Sequence, residues 1–222
     1  MHHRILQANL NHCRDAQNLL FQSVAEMGVD LVVAAEPLFI PLGDNWFGDT
    51  DALVAVGSVG RKPTSPQAVG LFSSSGIVGV SWGEILVVGV YFSPNRSFAE
   101  FGQYIDGLGA LIGQFSTRPV MVLGDLNARS MAWGDRVTTA RGKLLEDWAI
   151  AAGLVVLNHG SAATCVRFNG ESIVDISLAS STIAHRVRGW RVMAEVETMS
   201  DHRYIRLDVL PSSMAPAHDH RG

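Results

Sequence analysis

Val120-Met121-Val122-Leu123-Gly124-Asp125-Leu126-Asn127-Ala128 is the stretch from which the rest of the chain can be read. Its four opening apolar residues make the short run expected of a strand buried on both faces. The run then meets a glycine, a carboxylate and, two positions on, a carboxamide. On an extended chain that spacing aims Asp125 and Asn127 to one side. An anionic acceptor beside a neutral donor and acceptor suits a hydrated cation, or a phosphate oxygen with its attacking water. Taken alone, the motif could equally be an ordinary Asp/Asn turn, since both residues favour turns.

The 222 residues suit one large α/β domain, or at most two small ones. With 47% hydrophobic residues the chain can bury a substantial core. Positions 1–10 mix charged and polar residues, unlike a signal peptide, and no apolar run reaches the roughly 18 residues of a membrane span. Cys13 and Cys165 fit no zinc spacing and argue against a disulfide-built secreted domain. A reducing cell interior is the expected setting. The net charge of −4 is not that of a general nucleic-acid binder. Acidic residues that hold a metal, however, lower the count without repelling a phosphate substrate once the ion is bound.

In chain order, Arg4–Leu10 reads as a strand ending on Asn9. A helix follows, with Asp15 as cap, a stripe of Leu19, Leu20, Val24 and Met27, and an end near Gly28. Asp30–Ala35 is a second buried strand that runs into Glu36-Pro37, where proline stops it. Residues 38–50 read as a loop carrying Trp46 and Phe47. Short strands are predicted over 52–56, 68–72 and 77–82, and a long one over 84–92. Phe98, Phe101, Ile105, Leu108 and Ile112 recur at helical spacing. After the central strand comes a polar loop with Arg129, Trp133 and Arg136, then a helix over 142–152 and a strand over 154–157. Asn169-Gly170 signals a hairpin between 164–168 and 172–178, with Asp175 in its second arm. Strands over 186–193 and 203–210 close the domain. Many short strands with three or four helices between them predict an α/β sandwich of two packed sheets flanked by helices.

Asn9, Glu36, Tyr91, Asp125, Asn127, Asp175, Asp201 and His202 each fall at or near a predicted strand end, where sheet proteins put chemistry. Any one of them could be structural: a solvated turn, a cap, or a carboxylate paired with a nearby arginine. Eight in one chain form a coherent set. Glu36 and other carboxylates can hold Mg²⁺ with several waters kept. Asp201 can fix the tautomer of His202, and spacing alone leaves Asp175 open for that role instead. A carboxylate near Asn127 can take a proton from an attacking water, and Tyr91, Asn9 and the histidine can stabilise charge on a pentavalent phosphoryl group. That describes phosphoester hydrolysis.

The order Gln7-x-Asn9-Leu10, Glu36-Pro37, Tyr91-x-Ser93-Pro94, Gly124-Asp125-Leu126-Asn127-Ala128, Ser172-x-x-Asp175 and Ser200-Asp201-His202 resembles the endonuclease/exonuclease/phosphatase superfamily over residues 4 to about 210. Within it the chain is similar to the apurinic-endonuclease-like domain at the amino end of non-LTR retrotransposon polyproteins, above all those that insert at fixed sites in ribosomal RNA genes. The resemblance implies a four-layer DNase I-like sandwich. It also implies nicking of one strand of double-stranded DNA, with the exposed 3′-hydroxyl priming reverse transcription. Glu36 would bind the divalent metal (Mg²⁺, with Mn²⁺ substituting), assisted by Asn9 and Asp201. Asp125 would position or deprotonate the water, Asn127 would hold the scissile phosphate and Tyr91 would contact it or the leaving group. His202, oriented by Asp175, would stabilise the phosphoryl oxygens. Thr164 would touch the DNA backbone.

Arg96, Arg129, Arg136 and Arg167 are further candidates for a DNA track, since arginine forks suit phosphates. Trp133 could stack on DNA or simply anchor its loop. Few lysines and a short turn at 169–171 depart from the family pattern, which weakens the case for strong nonspecific affinity and for a deep DNA-inserting loop there. An endonuclease domain over 1–210 is expected, with 211–222 as tail or linker to a reverse transcriptase in the same polyprotein, working in the nucleus and not at a membrane. The alternatives are a phosphoesterase acting on phosphoinositide or lipid headgroups, an abasic-site repair endonuclease, and a silent domain that binds nucleic acid or protein in the same cleft.

Overall fold

The computed structural model describes residues 2–212, so the tail expected at 211–222 lies outside the described residues from 213 onward. The first half of the chain runs β1 (His3–Asn9), α1 (Arg14–Met27), β2 (Leu31–Ala35), β3 (Trp46–Gly48), β4 (Val54–Ser58), β5 (Ala68–Ser74), β6 (Ile77–Trp82) and β7 (Ile85–Tyr91). After α2 (Phe98–Gly113) come β8 (Val120–Asp125), a 3₁₀ turn at Met131–Trp133, α3 (Ala140–Ala151) and β9 (Leu154–Val156). Then follow β10 (Cys165–Arg167), β11 (Gly170–Ser172), β12 (Asp175–Ser180), α4 (Ser181–Ala184), β13 (Val187–Val192) and β14 (Ile205–Val209).

These strands form two six-stranded sheets, ordered β13-β14-β1-β2-β4-β3 and β5-β6-β7-β8-β12-β9, with β10 and β11 as a separate ribbon. Each sheet is mixed, with one parallel pair near its centre: β1 with β2, and β7 with β8. The period of two along each strand builds the layers. Ile5, Leu31 and Val33 point into the gap between the sheets, where Val87, Met121 and Leu123 meet them from the other side. Leu6, Ala8, Val32 and Ala34 point outward to Ala16 and Leu20 of α1. Leu86, Val88, Val122 and Leu178 point outward to Phe101, Ile105 and Leu108 of α2 and Leu145 of α3. Helix, sheet, sheet, helix is the expected four-layer sandwich.

Several local expectations are corrected. Helix α1 has Cys13 at its N-cap without a side-chain bond, and Asp15 sits inside the first turn. Trp46 and Phe47, expected in a loop, form the edge strand β3. The turn at 168–169 does join a hairpin, but the hairpin stops at Ser172. Asp175 instead opens β12, which pairs with β8 in the main sheet. The Asn-Gly turn predicts a local partner, whereas the pairing of β12 is set 50 residues away by an apolar strand that already needs a neighbour.

Among the described residues, no helix is long and apolar enough to cross a membrane.

Candidate active site

The site follows from strand direction. β1, β7 and β8 end at one edge of the sandwich, on Asn9, Tyr91 and Asp125. β12 runs antiparallel to β8 and therefore begins there, pairing Asp175 with Asp125, while Tyr91 pairs with Asp125 from the other side. One row across the second sheet thus carries Tyr91, Asp125 and Asp175 side by side. Each is in register with residues that face the inter-sheet gap, so all three crown the core instead of facing a helix. In the first sheet Asn9 pairs with Ala35, and Glu36 follows directly, with a left-handed φ of 47°. His202 lies just ahead of β14, the antiparallel neighbour of β1.

Two hydrogen-bonded groups span the gap. The Tyr91 hydroxyl donates to Glu36 Oε1 at 2.5 Å, and ties the two sheets together. Alongside it, Asn9 Nδ2 donates to Asp125 Oδ2 at 3.0 Å, and His202 Nε2 lies 4.0 Å from that same oxygen. His202 Nδ1 is bonded to Asp175 Oδ2 at 2.8 Å, so Asp175 and not Asp201 fixes the ring. Asn127 donates its backbone N–H to Asp125 Oδ1 at 2.8 Å and its side-chain amide to Phe92 O at 3.1 Å. Its φ of 46° turns the chain sharply after the strand.

Burial makes this chain of charges unusual. Asp125, Asp175 and His202 are all almost fully buried, and their ligand atoms lie within 4.8 Å of one another, a spacing on which an ion could sit. Burial opposes a charge on the His202 ring, but the Asp175 carboxylate outweighs it and pushes the ring up to about 12. Burial, and then the Asp175 charge, push Asp125 up to about 7, although His202 and two hydrogen bonds pull the other way. Burial and the Glu36 carboxylate push the Tyr91 phenol upward, so it stays a donor at neutral pH.

These shifts fix a pH dependence of stability. His202 is held above the 6.5 of an ordinary ring, so its contribution is full below pH 6.5 and is lost as pH rises beyond it. Asp125 keeps its proton to a higher pH folded than unfolded, so its part is lost between about pH 4 and 7. Both slopes have one sign. The metal-free protein is expected to melt at progressively lower temperature from pH 6 to 9, by no more than about 1.4 kcal/mol per pH unit for each titrating group. Thermal melts of the wild type and His202→Ala check this, the variant giving the flatter profile above pH 7.

The other expected contacts divide. Thr164 does not touch solvent: its hydroxyl accepts from the N–H groups of Val174 and Asp175, and so sets the entry to β12. Trp133 is equally buried, with its indole N–H on Ile173 O, and is a loop anchor and not a stacking platform. Both therefore leave the set of DNA contacts. Arg129 is forked onto the buried Asp135 carboxylate, and Arg167 pairs with Asp201 at 3.2 Å. That pairing occupies one carboxylate oxygen of the half-exposed Asp201. Asn9, expected as a metal ligand, has its amide nitrogen on Asp125 and its oxygen on Asn11 N. Arg96, partly paired with Glu100, and Arg136 remain exposed.

His12 escaped the sequence reading. It sits against Glu36 and Pro37, and the only hint was its place three residues after Asn9 at the strand end. Gln7, quoted only as part of a motif, joins the sheets beneath the site: its amide donates to Gly124 O and accepts from Ser177 Oγ.

Comparison with known proteins agrees with this architecture. Residues 85–206 match the family described as endonuclease-reverse transcriptase. A retrovirus-related Pol polyprotein from the type-1 retrotransposable element R1 of Bradysia coprophila is 30% identical over 133 residues, 55% of this chain but only 13% of the polyprotein. The endonuclease domain of TRAS1, a telomere-specific non-LTR retrotransposon, superposes with a TM-score of 0.80 at 24% identity, covering 94% of this chain and 98% of that domain. An AP endonuclease from Archaeoglobus fulgidus gives 0.72 at 14% identity over 92% of this chain and 98% of its own.

Proposed function

Because the chain belongs to the endonuclease-reverse transcriptase family, we propose that it is a divalent-metal-dependent endonuclease that nicks one strand of double-stranded DNA and leaves a 3′-hydroxyl. One observation carries the reading. The Tyr91–Glu36 pair and the Asp175–His202–Asp125–Asn9 chain crown a single gap between two sheets, as a carboxylate for a metal and an acid–base set for a water.

The donor set fits a hard cation: Glu36 offers a carboxylate at the mouth of the gap, its side chain 17% exposed, while Asp125 and Asp175 share the charge of His202 deeper in. Mg²⁺ bound at Glu36, or Mn²⁺ in its place, would polarise a phosphoryl oxygen and stabilise the departing 3′ oxygen. Asp125, titrating near neutrality, takes a proton from the attacking water, which is the range where a general base works best. Asn9 and Asn127 hold that carboxylate in place by one bond to each oxygen. His202 stays cationic at working pH and therefore acts as an electrostatic clamp on the phosphoryl oxygens, not as the base. Tyr91 keeps Glu36 in position through its hydroxyl. The water oxygen bonds to phosphorus as its proton passes to Asp125, the bond from phosphorus to O3′ breaks, and the departing oxygen takes a proton from solvent, which gives a 3′-hydroxyl and a 5′-phosphate.

Of the four candidate arginines, Arg136 is exposed, and Arg96 and Arg167 are exposed with one half-exposed carboxylate partner each, so these three can meet DNA phosphates. The resemblance to elements that insert in ribosomal RNA genes supports a target there, with the 3′-hydroxyl priming a reverse transcriptase of the same polyprotein in the nucleus. Conversion of supercoiled plasmid to open circle tests the activity. Nicking is expected in Mg²⁺ and in Mn²⁺ and not in EDTA. A plasmid left supercoiled in both metals overturns the DNA reading and makes lipid and inositol phosphates the next substrates. Cuts mapped on a ribosomal RNA gene fragment and on telomeric repeats, the latter because TRAS1 is telomere-specific, test the target: clustering on the first supports it, and even spread or clustering on the second overturns it.

A further inference from the structure

His12 is held against Glu36-Pro37 at three points. Its backbone N–H donates to Glu36 O at 2.9 Å, its ring Nδ1 meets Pro37 O at 3.1 Å, and its Nε2 lies 3.6 Å from Glu36 Oε1. To reach this pose Asn11 and His12 both adopt left-handed backbone, with φ of 47° and 52°. Consecutive non-glycine residues there are uncommon and mark places where structure serves a site.

The tautomer follows from the partner. A carbonyl oxygen only accepts, so Nδ1 carries the proton, and in the neutral ring Nε2 presents a lone pair. That lone pair faces a carboxylate oxygen that already receives the Tyr91 hydroxyl. Two electron-rich atoms facing each other call for a positive charge between them. An imidazole whose other nitrogen donates to a backbone carbonyl is the usual arrangement of a metal-binding histidine. Two ligands at right angles with bonds of about 2.1 Å stand about 3.0 Å apart. The observed 3.6 Å is within a small rotation of a half-exposed side chain.

We propose that His12 Nε2 is a nitrogen ligand to the divalent ion on Glu36, which makes this an N,O site favouring Mn²⁺ over Mg²⁺. The proposal rests on the reading of Glu36 as the metal carboxylate. Imidazole suits transition metals, whereas Mg²⁺ gains little beyond carboxylate and water.

Titration of the metal-free full chain with Mn²⁺, followed by electron paramagnetic resonance, tests it, with Mg²⁺ measured by competition. The wild type is expected to bind Mn²⁺ at least about tenfold more tightly than Mg²⁺ and to show ¹⁴N modulation from one imidazole. His12→Asn tolerates the left-handed backbone and can still donate to Pro37 O. It is expected to lose the modulation and about tenfold in Mn²⁺ affinity, with Mg²⁺ affinity changed less than about twofold. His202→Ala should keep the modulation. If Glu36→Gln abolishes Mn²⁺ binding while His12→Asn alters neither affinity nor modulation, the role of His12 is overturned and that of Glu36 stands. Modulation lost in His202→Ala alone overturns it too, since the ion then lies on the Asp125–Asp175–His202 cluster. If Glu36→Gln leaves binding intact, the reading of Glu36 itself fails.

Discussion

His202→Ala is expected to slow plasmid nicking by about a thousandfold or more under saturating metal at pH 7.5. Two losses combine. The cation that faces the phosphoryl oxygens is gone, and loss of one such preorganised group commonly costs 10²- to 10³-fold, as an order-of-magnitude figure. In addition, Asp125 and Asp175, adjacent in the ladder and both buried, are left without the positive charge between them. Like charges in that position do not both ionise, so one carboxylate takes up a proton and Asp125 weakens as a base. Asp175→Asn separates the two effects. It keeps an acceptor for Nδ1 but removes the charge that holds the ring cationic. Its activity should persist on the acid side and fall away on the alkaline side, at a pH well below the wild-type limb. Retention of more than a tenth of wild-type nicking by His202→Ala, with the variant folded by circular dichroism, would remove His202 from the chemistry.

Much of this site was legible because strand geometry is local. A run of apolar residues followed by Asp125 or Tyr91, or by Glu36-Pro37, announces a strand end. The period of two then says which end residues share a face. Asp175 was legible as a residue but not as an address. Asn169-Gly170 signals a hairpin, whose two-residue turn falls one position earlier at 168–169, yet nothing in the local sequence says that the hairpin ends at Ser172 and that the next strand belongs to β8. Sequence leaves the role of Asp175 in orienting His202 open beside Asp201 for the same reason, since the contact is non-local. Thr164, offered by the resemblance, and Trp133, whose loop position allows stacking or anchoring, are both buried: one caps the start of β12 and the other donates its indole N–H to Ile173 O. The arginines show the same limit. Sequence supplies the fork, but only the folded chain shows Arg129 spent on the buried Asp135, and Arg96 and Arg167 each sharing a half-exposed pair with Glu100 and Asp201.

The position of Asp125 depends on the residue before it, and Gly124→Ala is expected to cost about 3 kcal/mol or more in unfolding free energy. Gly124 has φ +151°, a conformation that side chains rarely adopt, and an added Cβ would lie 1.9 Å from Val90 O. That oxygen belongs to the backbone of β7, the strand paired residue for residue with β8 at this point, so no side-chain rotation can relieve the contact. The strands must part, and with them the row in which Tyr91 stands opposite Asp125. Gly124 O also accepts from Gln7, so the shift reaches the first sheet. Gly107→Ala is the matched contrast. It lies exposed inside α2 with no neighbour within 4 Å of an added Cβ, and should stabilise by up to about 1 kcal/mol through helix propensity alone. Urea unfolding of both variants measures the difference. If Gly124→Ala loses less than about 1 kcal/mol, the β7–β8 pair yields easily, and the placement of Asp125 must come from its bonds to Asn9 and Asn127 instead. A large loss accompanied by weakened nicking in the surviving folded fraction would show that the close approach of two backbones, which only glycine permits, sets the geometry of the base.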